Sequence, residues 1–117
     1  EFYPAAAAYA SVRDWPATAR AAAKVGGGDP KSDAARALLG QALFELKDYA
    51  RSAQVLEELL AGKWIDADNV ALMYALGIAW ESAGNLEKAR EAYRKVGMFN
   101  ATYKDVAERL NRCDKPE

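Results

Sequence analysis

The sequence predicts an all-α protein, a stack of antiparallel helix pairs closed by a last helix. Three observations carry that prediction. A seven-residue phrase occurs three times, as Arg13–Ala19, Lys47–Ala53 and Gly84–Arg90; positions 13, 47 and 84 are 34 and then 37 residues apart. Alanine-rich stretches favour helix, since alanine loses no side-chain entropy there. No segment alternates apolar and polar residues with period two, so no strand is expected. A fixed period of this size implies stacked supersecondary units, each unable to bury its apolar face alone.

Each copy of the phrase reads as a turn residue, an Asp or Asn, a large apolar residue and, three positions on, a small one (Thr18, Ser52, Ala89). The elements follow in order. Pro4 opens a first helix to about Val12, since proline suits an opening turn. Asp14 caps a second, Trp15 to Val25, with Pro16 in its first turn, where a missing N–H costs little. Gly26 to Pro30 form a loop. Ser32 or Asp33 caps a third helix to about Leu46. Asp48 caps a fourth to about Ala61, and Gly62 ends it. After a longer loop, Asp68 caps a fifth helix ending near Ala83. Asn85 caps a sixth to about Val96, with Gly97 after it. Asn100 or Thr102 begins a seventh, to about Cys113.

These residues resemble the tetratricopeptide repeat, whose Trp, Leu-Gly, Tyr, Ala, Phe and Pro recur over 34 positions. Met73, Leu76-Gly77, Trp80, Gly84, Ala89 and Tyr93 match in the third unit. Leu39-Gly40, Leu43, Ser52 and Leu56 match in the second. Phe2, Tyr9, Thr18, Ala22 and Asp29-Pro30 match in the first, where Ala5-Ala6 replace Leu-Gly. In the second unit Arg36 stands where a large apolar residue is usual, and three extra residues lengthen the exit loop. The resemblance implies a superhelical single domain over 1–117, with units at about 1–32, 33–69 and 70–100 and a capping helix at about 102–113, cut from a larger protein. Gly40 and Gly77 would let paired helices touch, and Leu39, Leu43, Leu56 and Leu59 would fill the space around them. In the seventh helix Tyr103, Val106, Ala107 and Leu110 would face the stack, and Lys104, Glu108, Arg109 and Arg112 water.

The resemblance also implies a concave groove lined by the first helix of each pair. Its residues would be Ala37, Gln41, Phe44 and Glu45 in the second unit and Tyr74, Ile78, Glu81 and Ser82 in the third, extended by Tyr3, Ala7 and Ala10. That lining is apolar and aromatic, which suits an apolar peptide or amphipathic helix of another protein. The residues agree: the third helix is apolar nearly all round and expects burial on both sides. The groove positions lack the cations that grip an acidic chaperone C-terminus. Trp64-Ile65, two large apolar residues in a loop, either fold back over the stack or form a secondary contact. Self-association is the alternative, through Phe2, Tyr3 and Ala5 to Ala8 at the first end.

Composition excludes other classes. The net charge of −1 gives no overall pull toward nucleic acid. No apolar run reaches the roughly 18 residues of a membrane span. There is no histidine and one cysteine, Cys113, so the usual general base and a cysteine metal cluster are both missing. No catalytic residue, metal ligand or cofactor site is expected, and no enzyme activity. Gly26 to Ser32 is not a phosphate loop, because Asp29-Pro30 separate the glycines from Lys31-Ser32. Positions 1–12 lack a signal-peptide pattern; the compartment stays open, with the cytoplasm favoured. The alanine content suggests a GC-rich bacterial genome.

Overall fold

Seven helices joined by turns make up residues 2–114, those that the computed structural model describes, and no strand occurs among them. They are α1 (Phe2–Ser11), α2 (Trp15–Ala23), α3 (Ser32–Glu45), α4 (Tyr49–Leu60), α5 (Val70–Ser82), α6 (Leu86–Phe99) and α7 (Val106–Asp114). None is long and apolar enough to cross a membrane. The chain divides into two compact units, Glu1–Leu59 and Leu60–Glu117.

The phrase repeated in the sequence is one helix joint built three times. Its first residue is left-handed in every copy, with φ of 61° at Arg13, 67° at Lys47 and 89° at Gly84. The amides of these residues donate to the carbonyls of Ala10, Phe44 and Glu81, at 3.0, 2.9 and 3.0 Å. The next amides, of Asp14, Asp48 and Asn85, reach back to Tyr9, Leu43 and Trp80, at 2.9, 2.8 and 2.9 Å. This double closure satisfies the last carbonyls of the first helix of each pair. The same Asp or Asn then starts the second helix. Its carbonyl accepts from the amide of Thr18, Ser52 or Ala89, at 2.9, 3.0 and 3.1 Å. The side chains of Asp14 and Asn85 cap as expected, accepting from the amides of Ala17 and Lys88 at 3.3 and 3.1 Å. The Asp48 carboxylate takes the Arg51 guanidinium at 3.2 Å.

Three other caps differ from expectation. Lys31, not Ser32 or Asp33, sits at the N-cap of α3, without a side-chain cap. Asn69 rather than Asp68 precedes α5. There the Asp66 carboxylate accepts from the amides of Asp68 and Asn69 at 2.8 and 3.0 Å, and Asn69 Oδ1 accepts from the Asp66 amide at 2.9 Å. These side chains satisfy the turn itself, a local alternative to helix capping. Asn100 likewise accepts from the Thr102 amide at 3.1 Å, so α7 starts later, at Val106. Gly97 does not end α6, which runs on to Phe99.

In the first unit, Ala6, Ala21, Ala22 and Ala35 form a core cluster that Tyr3, Leu38 and Leu39 flank. In α3 and α4, Leu43, Ala53, Leu56 and Leu59 are buried. Ser52, fully buried, donates its hydroxyl to the Gly40 carbonyl at 2.6 Å. Arg36 lies at the surface and pairs with Glu58 at 3.3 Å, a contact worth at most about 1 kcal/mol. In the second unit, Val70, Met73, Leu76 and Trp80 of α5 and Ala89, Ala92, Tyr93 and Val96 of α6 are buried. Val106 and Cys113 bury the inner side of α7.

The residues at the middle of each pair vary together in size. Ala6, Gly40 and Gly77 hold corresponding positions, and so do Ala22, Leu56 and Tyr93. A Cβ on Gly40 would meet Leu56 Cδ2 at 2.9 Å, and one on Gly77 would fall into the Tyr93 ring. In the first pair the facing residue is only Ala22, and there the glycine is replaced by alanine. Close packing accounts for this exchange, since a methyl added opposite a large side chain must displace it.

Candidate functional site

The expected groove residues of each unit recur on a helix at i, i+4, i+7 and i+8 and so share one face. On α3 that face lies away from Leu39 and Leu43. Gln41 and Glu45 are exposed there, and Ala37 and Phe44 half-buried. Phe44 is fixed at the base of the face by Tyr49, edge-on with ring centroids 5.0 Å apart. The result is a row with one aromatic ring packed edge-on, one small residue and two exposed polar side chains. On α1, Tyr3, Ala7 and Ala10 are half-buried, and the Lys31 ammonium lies 5.5 Å from the Tyr3 ring.

On α5 two of the four residues are already engaged. The Tyr74 hydroxyl donates to Asp105 Oδ1, and its ring meets Tyr103 edge-on at 5.6 Å. Arg109 of α7 lies 5.9 Å from the Tyr74 ring centroid. Its Nε donates to the Tyr74 hydroxyl at 3.2 Å and to both Asp105 oxygens at 3.1 Å. Its Nη1 donates to Glu81 Oε1 at 3.0 Å. Arg112 adds Nη2 to Glu81 Oε2 at 3.4 Å. From α6, the Tyr93 hydroxyl donates to Glu81 Oε1 at 2.7 Å. Ile78 is half-buried and Ser82 exposed.

The electrostatics follow from these contacts. Burial works against ionisation of Glu81, but the hydrogen bond from Tyr93 and the guanidinium of Arg109 hold its carboxyl below the usual range. The bond from Tyr74 does the same, with Arg109, for Asp105. Burial, followed by the bond to Asp105, raises the Tyr74 phenol. Burial beside Glu81 raises that of Tyr93 further. The two phenols are therefore neutral donors and the two carboxylates ionised acceptors across the neutral range. The cluster is an ion-pair network and not a poised acid–base pair. Among the described residues no group of three His, Cys, Asp or Glu could hold a metal ion.

The sequence places Arg109 and Arg112 in water; Arg112 is exposed as expected, with one contact to Glu81 at 3.4 Å, whereas Arg109 is half-buried against Tyr74 and Glu81. Their partners lie 28 and 31 residues away, beyond any local pattern. One local signal existed, the Asp105–Arg109 spacing of four, which favours an ion pair along a helix. Lys104 is exposed as expected but precedes α7, with φ of 45°, its ammonium 5.3 Å from the Tyr74 ring. The Trp64 side chain does not fold back: it is 91% exposed, while its carbonyl accepts from Asn69 Nδ2 at 2.8 Å. Ile65 is half-buried. The indole is thus presented to solvent from a loop whose backbone is tied to Asp66 and Asn69. Asp29 accepts from the Lys31 amide at 2.8 Å in the glycine-rich loop, a turn contact on the side where a phosphate would need donors.

The fold and these surfaces describe an all-helical protein of consecutively packed helices with a threefold repeated joint. In comparison with known proteins, the chain matches no protein-family model and no curated sequence.

Proposed function

We propose that this chain is a non-enzymatic interaction module of the tetratricopeptide type, acting as a scaffold or adaptor. Its α3 face, with Ala37, Gln41, Phe44 and Glu45, receives an apolar peptide or amphipathic helix of another protein. The observation that carries this reading is the state of that face. Gly40 and Leu43 on the opposite side of α3 are buried, while Gln41 and Glu45 are exposed and Ala37 and Phe44 half-buried, with the Phe44 ring against Tyr49. A preformed aromatic anchor loses little side-chain entropy on binding, so modest apolar contacts suffice. The threefold joint supports the repeat assignment, since it gives the three pairs one geometry at the same sequence offset.

Phe44→Glu places a charge on this face without touching the α3–α4 contact at Gly40. Capture of partners from the source cell is expected to fall at least tenfold against wild type, with helicity by circular dichroism unchanged. Equal capture by a folded variant contradicts the assignment. A second reading, self-association, is favoured by the exposure of Phe2 and Tyr9 on α1 and of Val12 in the turn after it, at 48%, 41% and 72%. A mass that stays monomeric in light scattering at high concentration removes it.

A further inference from the structure

The Tyr74–Glu81 face of α5 differs from the α3 face in being occupied by the chain itself. Its occupant is an amphipathic helix. Arg109 of α7 is held by three groups of the rest of the unit or their near neighbours: the face of Tyr74, the Tyr74 hydroxyl and the Glu81 carboxylate. The receiving groups belong to α5 and α6. Tyr93, fully buried, fixes Glu81 Oε1 from behind at 2.7 Å, so the carboxylate is oriented independently of α7. The Tyr74 ring also lies 5.3 Å from the Lys104 ammonium, so the preference for a guanidinium comes from the oriented Glu81 carboxylate, whose two oxygens accept from Arg109 Nη1 and Arg112 Nη2.

The occupant is weakly self-supporting. α7 spans nine residues, short of the length at which an isolated helix holds in water. The turn before it passes through the left-handed Lys104, a conformation that disfavours closure for a residue other than glycine. Val106 and Cys113 anchor α7 by burial, and the rest of its hold is polar, through Asp105, Arg109 and Arg112, whose side chains remain 24% to 50% solvent-accessible. Polar contacts of this kind exchange for equivalent ones from another chain at little net change.

We propose that the Tyr74–Glu81 face is a receptor for an arginine-bearing helix, that α7 occupies it in cis, and that a partner helix binds there by displacing α7. The partner chemistry is read from the occupant: an acidic residue, an arginine four positions on, and apolar residues on the same side, as Val106 and Leu110 flank Arg109. This rests on reading the chain as an interaction module and adds a regulated second surface to it. Tethering by a short linker gives millimolar effective concentration, so α7 masks a site of micromolar intrinsic affinity by about a thousandfold. Loosening α7 therefore raises partner binding without altering the receptor.

The test uses a fluorescent peptide with the sequence of residues 102–114 and the full chain. Anisotropy is expected to show binding to the Arg109→Ala chain at least tenfold tighter than to wild type. The same peptide carrying Arg109→Ala is expected to lose that binding, and adding Glu81→Gln to the Arg109→Ala chain to remove it. Equal binding by wild type and Arg109→Ala, or none by a folded Arg109→Ala chain, overturns the proposal. Should that chain fail to fold, hydrogen exchange on wild type decides: α7 amides are expected to exchange at least tenfold faster than those of α5, and equal rates overturn it. Loss of the peptide effect with Phe44-dependent capture intact refutes this inference alone. The converse result refutes the α3 assignment alone.

Discussion

Gly77→Ala is expected to destabilise the second unit by about 2 kcal/mol, against the ordinary trend for a helix interior. An alanine in place of glycine there normally gains up to about 1 kcal/mol. Here the new Cβ falls into the ring of Tyr93, which is fully buried and whose hydroxyl is held by Glu81. The ring cannot retreat without breaking that bond, and overpacking a close-fitted interior costs about 1 to 3 kcal/mol. Gly40→Ala is the control. Its Cβ meets only the branched end of Leu56, at 2.9 and 3.0 Å, which can turn aside, so overpacking and helix propensity nearly cancel, to within about 1 kcal/mol. Urea unfolding with an unchanged slope measures both. A Tyr93→Leu change is expected to rescue part of the Gly77→Ala loss, because contacting residues are not additive. Equal stability of Gly77→Ala and wild type contradicts this packing.

The second large effect belongs to the first unit. Ala22→Leu supplies there the residue found at the corresponding position 56. It has no glycine to face, only Ala6, which is itself fully buried. The loss expected is about 2 kcal/mol from overpacking. Adding Ala6→Gly recreates the Gly40–Leu56 pairing of α3 and α4 and is expected to recover about half, limited by the roughly 1 kcal/mol that glycine costs in a helix. A double variant no more stable than Ala22→Leu would show that the two positions do not share a volume.

These two variants show why much of the fold was legible. The features read correctly are local or periodic. Asp14 and Asn85 cap because their side chains reach amides three residues on. Arg13 and Lys47 could be placed as turn residues because Gly84 holds the same position in a third copy. The misread starts of α3, α5 and α7 share one cause. Asp29, Asp66 and Asn100 satisfy turn amides just upstream, and a short polar side chain at a helix start can serve either turn or cap. Gly97 suits a helix stop by residue type, but α6 runs through it to Phe99, and a Cβ there would make only an ordinary contact with Leu110 of α7, at 3.8 Å.

The candidate site was legible to the extent that it follows helical spacing. The four positions on α3 and the four on α5 do share faces. The engagement of Tyr74 and Glu81 was not legible, because it depends on where α7 packs and on side chains distant in sequence. Arg109 illustrates the point. Its helix position gives it a face, but only the tertiary structure supplies Tyr74 and Glu81 as reasons to leave water.

The most direct measurement is hydrogen exchange of the full chain, free and saturated with a partner captured through Phe44. Protection concentrated over Ala37–Glu45 of α3 is the result predicted. Protection confined to the outward surfaces of α4 and α6, with α3 exchanging as in the free chain, would contradict the account.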